Sequence, residues 1–202
     1  MITKPKNWEN VKAFSERRKL PVGAYVCRIK QAVVKTERYG TQLCILFDIE
    51  DGEFAGYYSD DFDRNQNTDK KWKGVLRYFI PTDDGSEQDE WTKSRFKGLI
   101  TAIEESNRGY IFDWDERSLK GRVLGIIFRN EEWEYDGKTG WTARPFLAIS
   151  ADSVADGTFT IPKDKPLKNK SGAPALGFPA PAAPDNGGFS ELPDYNDSDV
   201  PF

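Results

Sequence analysis

The chain alternates. Tyr25, Cys27 and Ile29 interleave with Val26, Arg28 and Lys30, and Leu43, Ile45, Phe47 and Ile49 repeat the same two-residue period. Successive side chains of a strand point to opposite faces, so this period specifies β-strands with one apolar face. Tyr39-Gly40-Thr41 reads as the turn between them and Asp51-Gly52 as the turn that follows. The aromatic-rich stretch 54–62 is expected to be extended, and residues 73–80 to form a further strand ended by Pro81. Residues 119–128 and 141–149 read as two more strands, joined across a hairpin tip at 130–140 that contains Asp136-Gly137.

One segment has a different period. Phe96, Leu99, Ile100 and Ile103 follow the i, i+3, i+4, i+7 stripe of a helix lying on a core. Ser86 suits its N-cap, Asp89 and Glu90 suit its first turn, and Asn107-Arg108-Gly109 stops it. Three strands, one helix and two strands is the element order of the OB fold, a five-stranded Greek-key barrel. The expected fold class is therefore mainly β with one α-helix, an OB-fold-like five-stranded barrel with a disordered C-terminal tail. An SH3-like or other small barrel is the alternative. The barrel is expected over residues 20–162, after an N-terminal arm at 1–19.

The chain changes character near residue 163. A polar stretch leads into Gly172-Ala173-Pro174-Ala175 and Pro179-Ala180-Pro181-Ala182-Ala183-Pro184. Such a composition cannot bury enough apolar surface to offset its ordering entropy, so 163–202 is expected to be a linker and tail. Charge divides at the same place. The net charge is −4, but no Lys or Arg follows Ser171, whereas Asp185, Glu191, Asp194, Asp197 and Asp199 do. The first 170 residues hold all 29 cations against 28 acids, so the body is near neutral with local basic clusters. No apolar run approaches the ~18 residues of a membrane span, and the polar start lacks a secretory signal, so a cytoplasmic protein is expected. Cys27 and Cys44 lie in apolar runs and read as reduced core thiols.

Histidine is absent, which removes the commonest general base and the commonest transition-metal ligand. Asp61-Phe62-Asp63-Arg64-Asn65 begins like a calcium loop, but Gln66 stands where glycine is needed and Trp72 where the bidentate glutamate belongs. The pairs Asp60/Asp61 and Asp113/Asp115 read as turn residues rather than as a magnesium site. No catalytic residue, metal or cofactor is expected, and the chain is not expected to be an enzyme. The chemistry that stands out is cations beside rings. Lys70-Lys71-Trp72-Lys73 is followed by Arg77-Tyr78. Arg28, Lys30, Arg38 and Tyr39 add to it near the first turn, and Trp133, Tyr135, Lys138 and Trp141 around the second hairpin. Lysines neutralise phosphates and flat rings stack on bases, so these fourteen residues are the candidate surface for single-stranded nucleic acid. The competing reading is that the rings cap the barrel and the cations form a solvated face.

The chain closes on Asp194-Tyr195-Asn196-Asp197-Ser198-Asp199-Val200-Pro201-Phe202. A partner protein can read this with a pocket for Phe202, a basic residue for its carboxylate, and a basic rim for Asp194, Asp197 and Asp199. The ending resembles the acidic tip of bacterial single-stranded DNA-binding proteins, which finish in aspartates followed by Ile-Pro-Phe. Asp199, Pro201 and Phe202 align with it, Val200 replaces the isoleucine, and Ser198 interrupts the acidic run. Leu20-Pro21-Val22-Gly23-Ala24-Tyr25, Asp89-Glu90-Trp91-Thr92-Lys93-Ser94-Arg95-Phe96-Lys97-Gly98 and Phe128-Arg129-Asn130-Glu131-Glu132 resemble a family of phage and prophage proteins from Gram-positive hosts. That resemblance spans about residues 8–168. It implies a phage single-stranded DNA-binding protein in the bacterial cytoplasm, coating strands with little sequence preference during replication or recombination. The tip implies recruitment of replication and recombination proteins. The oligomeric state stays open, a homo-oligomer included. The rival is a β-barrel adaptor of the phage particle without DNA affinity, which would not gather Lys70, Lys71, Lys73, Arg77 and Arg28 on one concave face.

Overall fold

The computed structural model describes residues 2–10 and 18–167. The linker beyond 167 and the tip residues Asp194, Asp197, Asp199, Val200, Pro201 and Phe202 lie outside the described residues. Five strands form one antiparallel sheet: β1 (Gly23–Glu37), β2 (Gly40–Ile49), β3 (Val75–Phe79), β4 (Val123–Tyr135) and β5 (Lys138–Ile149). Their order is β3-β2-β1-β4-β5. Closing such a sheet through β3 and β5 would give the OB barrel, and helix α2 (Glu87–Ser106) stands between β3 and β4 as that fold requires. The sheet is not closed by a backbone ladder.

Side chains bridge the seam instead. The Ala148 N–H of β5 donates to the Tyr78 hydroxyl of β3 at 2.9 Å. Arg95 of α2 donates to the Phe146 carbonyl at 3.3 Å, and its guanidinium lies against the rings of Tyr78, Trp91 and Phe146. On the far side Arg129 lies 4.2 Å over the Phe146 ring. A cation between rings gains quadrupole attraction as well as contact area, so the gap is packed rather than open.

The interior follows the alternation in the sequence. Cys27, Ile29, Leu43, Ile45, Phe47, Leu76, Leu124, Ile126 and Phe128 are buried together, and α2 adds Phe96, Leu99 and Ile103. Ser86 caps α2 by accepting from the Asp89 N–H, an interaction worth about 1 kcal/mol. Asp89 is turned inward and accepts from the Thr82 N–H at 2.8 Å, which fixes the strand-to-helix connection.

Four departures from expectation have local causes. Residues within the stretch 54–62 form helix α1 (Tyr57–Arg64), not a strand. The buried Asp48 carboxylate of β2 accepts from the Tyr58 and Ser59 N–H groups and the Ser59 hydroxyl, satisfying donors at the helix start. The second hairpin has a two-residue tip rather than a broad one. Asp136 and Gly137 take φ of 49° and 69°, the turn that matches strand twist, and both strands run up to it. A short helix, α3 (Ala151–Ala155), follows β5. Finally, the chain expected to leave as a linker at 163 runs back beside β4. Lys165 exchanges backbone hydrogen bonds with Asn130 and Glu132, and the Leu167 N–H donates to the Glu132 carboxylate. Among the described residues no helix is long and apolar enough to cross a membrane.

Candidate nucleic-acid interface

A groove of about 790 Å³ runs between the β4–β5 hairpin, the segment before β3, and residues 18–20 of the arm. Its cations are Arg18, Lys19, Lys71, Lys73 and Arg144, and its rings include Tyr57, Trp72, Trp133 and Trp141. No carboxylate lines it among the described residues. Two of the cations have acids just outside: Lys73 pairs with Asp61 at 2.9 Å and Arg18 with Glu53 at 3.4 Å. Lys19 and Lys71 are exposed.

Each wall is held for a reason the residues supply. Leu20 is buried in the core and the Tyr25 hydroxyl donates to the Pro21 carbonyl, so Arg18 and Lys19 sit at a fixed margin. On the second wall Trp72 is the anchor. It packs against the interior, and its indole N–H donates to the Phe47 and Gly74 carbonyls at 3.0 and 3.1 Å. Gly74 must be glycine, because a Cβ there would meet the Phe47 carbonyl oxygen at 2.4 Å. With Trp72 fixed, Lys71 and Lys73 flank it. The third wall is the edge of the hairpin ribbon, lined by the consecutive residues 139–145 of β5; Trp133, paired with Gly140, and Trp141, paired with Glu132, stand on opposite faces of the ribbon and both reach the groove at that edge. They remain 39% and 45% exposed. Tyr58 and Arg144 both line the groove, and the guanidinium charge partly offsets the upward push that burial gives the Tyr58 hydroxyl pKa.

The structure therefore collects some of the expected residues and not others. Lys71, Trp72, Lys73, Trp133 and Trp141 line the groove. Tyr135 and Lys138 are exposed at the hairpin end beside it. Tyr78 is corrected. It is 3% exposed, its hydroxyl is spent on Ala148, and no base reaches its ring. Trp72 is corrected in role, since a ring with its N–H bound to backbone and its body on the core is a support more than a free platform. Lys70 lies outside the lining, 4.3 Å over the Phe62 ring. Arg28 is not a groove cation either. It clasps Glu50 and donates to the Gly121 carbonyl at 2.8 Å, bracing β1. Lys30 stands at the irregularity between Ile29 and Gln31. Arg38 covers Tyr39 at the β1–β2 turn, and Arg77 shares the outer face of β3 opposite Cys44. Arg18, Lys19, Tyr57 and Arg144 join the groove without having been expected there.

Another exposed indole, away from the groove, has different surroundings. Trp114 is 79% exposed with φ of 65°, and it stacks at 6.5 Å on Phe96 beside the exposed Ile111. Asp113 accepts from the Ser118 hydroxyl, and Asp115 takes the Arg117 guanidinium and N–H. The Ser118 hydroxyl and the Arg117 guanidinium hold these two carboxyls below the usual carboxylate range, so both are charged at neutral pH. This loop precedes the start of β4, and the groove hairpin closes its other end. Among the described residues no group of three or more Cys, Asp or Glu side chains is placed to hold a metal ion. A comparison with protein-family models finds no match to this chain, and a comparison with curated proteins finds none either.

Proposed function

We propose that the chain is a non-catalytic binder of single-stranded DNA, and that the groove between the β4–β5 hairpin and residues 71–73 is where the strand lies. One observation carries this reading: Trp133 and Trp141 open onto a groove lined by Lys19, Lys71, Lys73 and Arg144 and, among the described residues, by no carboxylate. Cations follow the phosphates and indoles stack on any base, so such a groove favours unpaired strands without reading their sequence. Duplex DNA shields its base faces and forgoes the stacking. The resemblance of the body to phage proteins, and of the ending to bacterial single-strand binders, fits a place in phage replication or recombination. The tip residues Asp194, Asp197, Asp199, Val200, Pro201 and Phe202 would then recruit partner proteins.

The test is quenching of tryptophan emission on adding oligo-dT, at low salt and again at high salt. Quenching that saturates and weakens with salt is expected. No quenching and no retention of the oligonucleotide at about 50 mM salt ends the reading. Removal of residues 194–202 is expected to preserve DNA affinity and abolish capture of replication proteins. Unchanged capture by the truncated chain would reduce the tip to a solubilising extension.

A further inference from the structure

We propose that Gly140 is a positioning residue, present so that the Trp133 indole can lie over the β5 backbone at the groove. The inference rests on the groove being the single-strand site. Gly140 sits in a strand, where glycine costs stability and packs nothing. Its backbone does not ask for glycine, for it is not among the residues with positive φ. Its neighbour Gly137, at φ 69°, is there for the turn; Gly140 has no such reason. What it does have is a ring on top of it. A Cβ built there would meet Trp133 Cζ2 at 2.6 Å, Cε2 at 2.8 Å and Nε1 at 3.1 Å. Real Cβ atoms essentially never come under 3.0 Å to a neighbour, so any larger residue must lift the indole.

The register makes this specific. Trp133 and Gly140 are direct cross-strand partners, and their side-chain positions share one face of the ribbon. The missing side chain is the space into which the indole lies. The Nε1–Cε2–Cζ2 edge of the indole occupies the space over Gly140 while the residue stays 39% exposed. A ring already held in one rotamer does not lose that freedom when a base stacks on it, and pre-organisation of this kind raises affinity without adding a contact.

The experiment compares wild type, Gly140→Ala, Trp133→Ala and the double variant for binding labelled oligo-dT by fluorescence anisotropy. Each single change is expected to weaken binding about fivefold or more, the scale of one lost base stack. Gly140→Ala in the Trp133→Ala background is expected to add nothing, because the ring it would displace is gone. Equal losses in both backgrounds would make Gly140 a merely structural residue and overturn the proposal. So would wild-type affinity in Gly140→Ala. A second readout needs no DNA. In protein labelled with 5-fluorotryptophan, the fluorine resonance of Trp133, assigned through Trp133→Phe, should shift in Gly140→Ala while those of Trp72 and Trp114 stay in place. An unmoved Trp133 resonance overturns the placement of the ring. A moved resonance in a protein that never binds oligo-dT sinks the groove reading itself and leaves Gly140 holding a ring with no ligand.

Discussion

Trp133 and Trp114 are both open to solvent, yet their neighbourhoods are opposite in charge. Around Trp133 and Trp141 the lining cations are Arg18, Lys19, Lys71, Lys73 and Arg144, of which Arg18 and Lys73 pair with acids just outside. Around Trp114 stand Asp113 and Asp115, both charged at neutral pH, and Arg117 offsets only the second of them by pairing with it. A phosphate approaching the first gains attraction, and one approaching the second meets repulsion. Exposure of an aromatic ring is therefore not enough to mark a nucleic-acid surface. The charge that surrounds the ring decides which polymer it can meet.

The largest effect that tests this contrast is loss of both groove indoles. Trp133→Ala with Trp141→Ala is expected to weaken oligo-dT binding about a hundredfold, from roughly 1–3 kcal/mol per stacked base. Trp114→Ala should leave the same titration unchanged, and equal losses would break the contrast. Tyr78→Phe separates a buried ring from a groove ring. It should lower stability to urea by about 1–3 kcal/mol, since the Ala148 N–H loses its partner, with DNA affinity of the folded protein intact. Next in size, Lys71→Ala should flatten the salt dependence of binding by about 0.7 in log–log slope if it meets one phosphate. Arg117→Ala, beside Trp114, should leave that slope alone. The smallest effect is a pH response. Asp113 and Asp115 are held below the ordinary value of 3.8 in the folded protein. Their contribution is thus complete above that value and fades only as pH drops through the lowered folded ones. Emission from Trp114 should accordingly shift in strong acid and stay flat from neutral pH down to about 5.

The strands were legible because burial on one face forces alternation, and the Ser86 cap and the Asp136-Gly137 turn because their chemistry is local. Helix α1 was hidden since its start is capped by Asp48, a tertiary partner in another element. Tyr57, Tyr58 and Phe62 suit strands as well as helices, so the local pattern misled. Tyr78 could have been placed inside from its own strand, for it shares a face with Leu76 while Arg77 points away. The pull of the neighbouring lysines concealed that. Lys71 and Lys73 were readable as groove cations from their cluster alone. Arg18 and Lys19 were not, because the arm has no period and only the burial of Leu20 brings it to the groove. Arg144 reads in sequence as one more polar residue on an outer strand, and only the packing of the hairpin against the arm and residues 71–73 brings it into the groove lining.

Edge strand β5 carries Pro145, and the pairing with β4 slips at that point, between Ile127 and Phe128. Proline offers no amide hydrogen, and a bulge bends the strand away from straight pairing. A long straight border is the geometry from which sheet-to-sheet pairing between copies begins, and the slip at Pro145 breaks that straightness. A single imino acid therefore interrupts the β5 border at the level of Phe128.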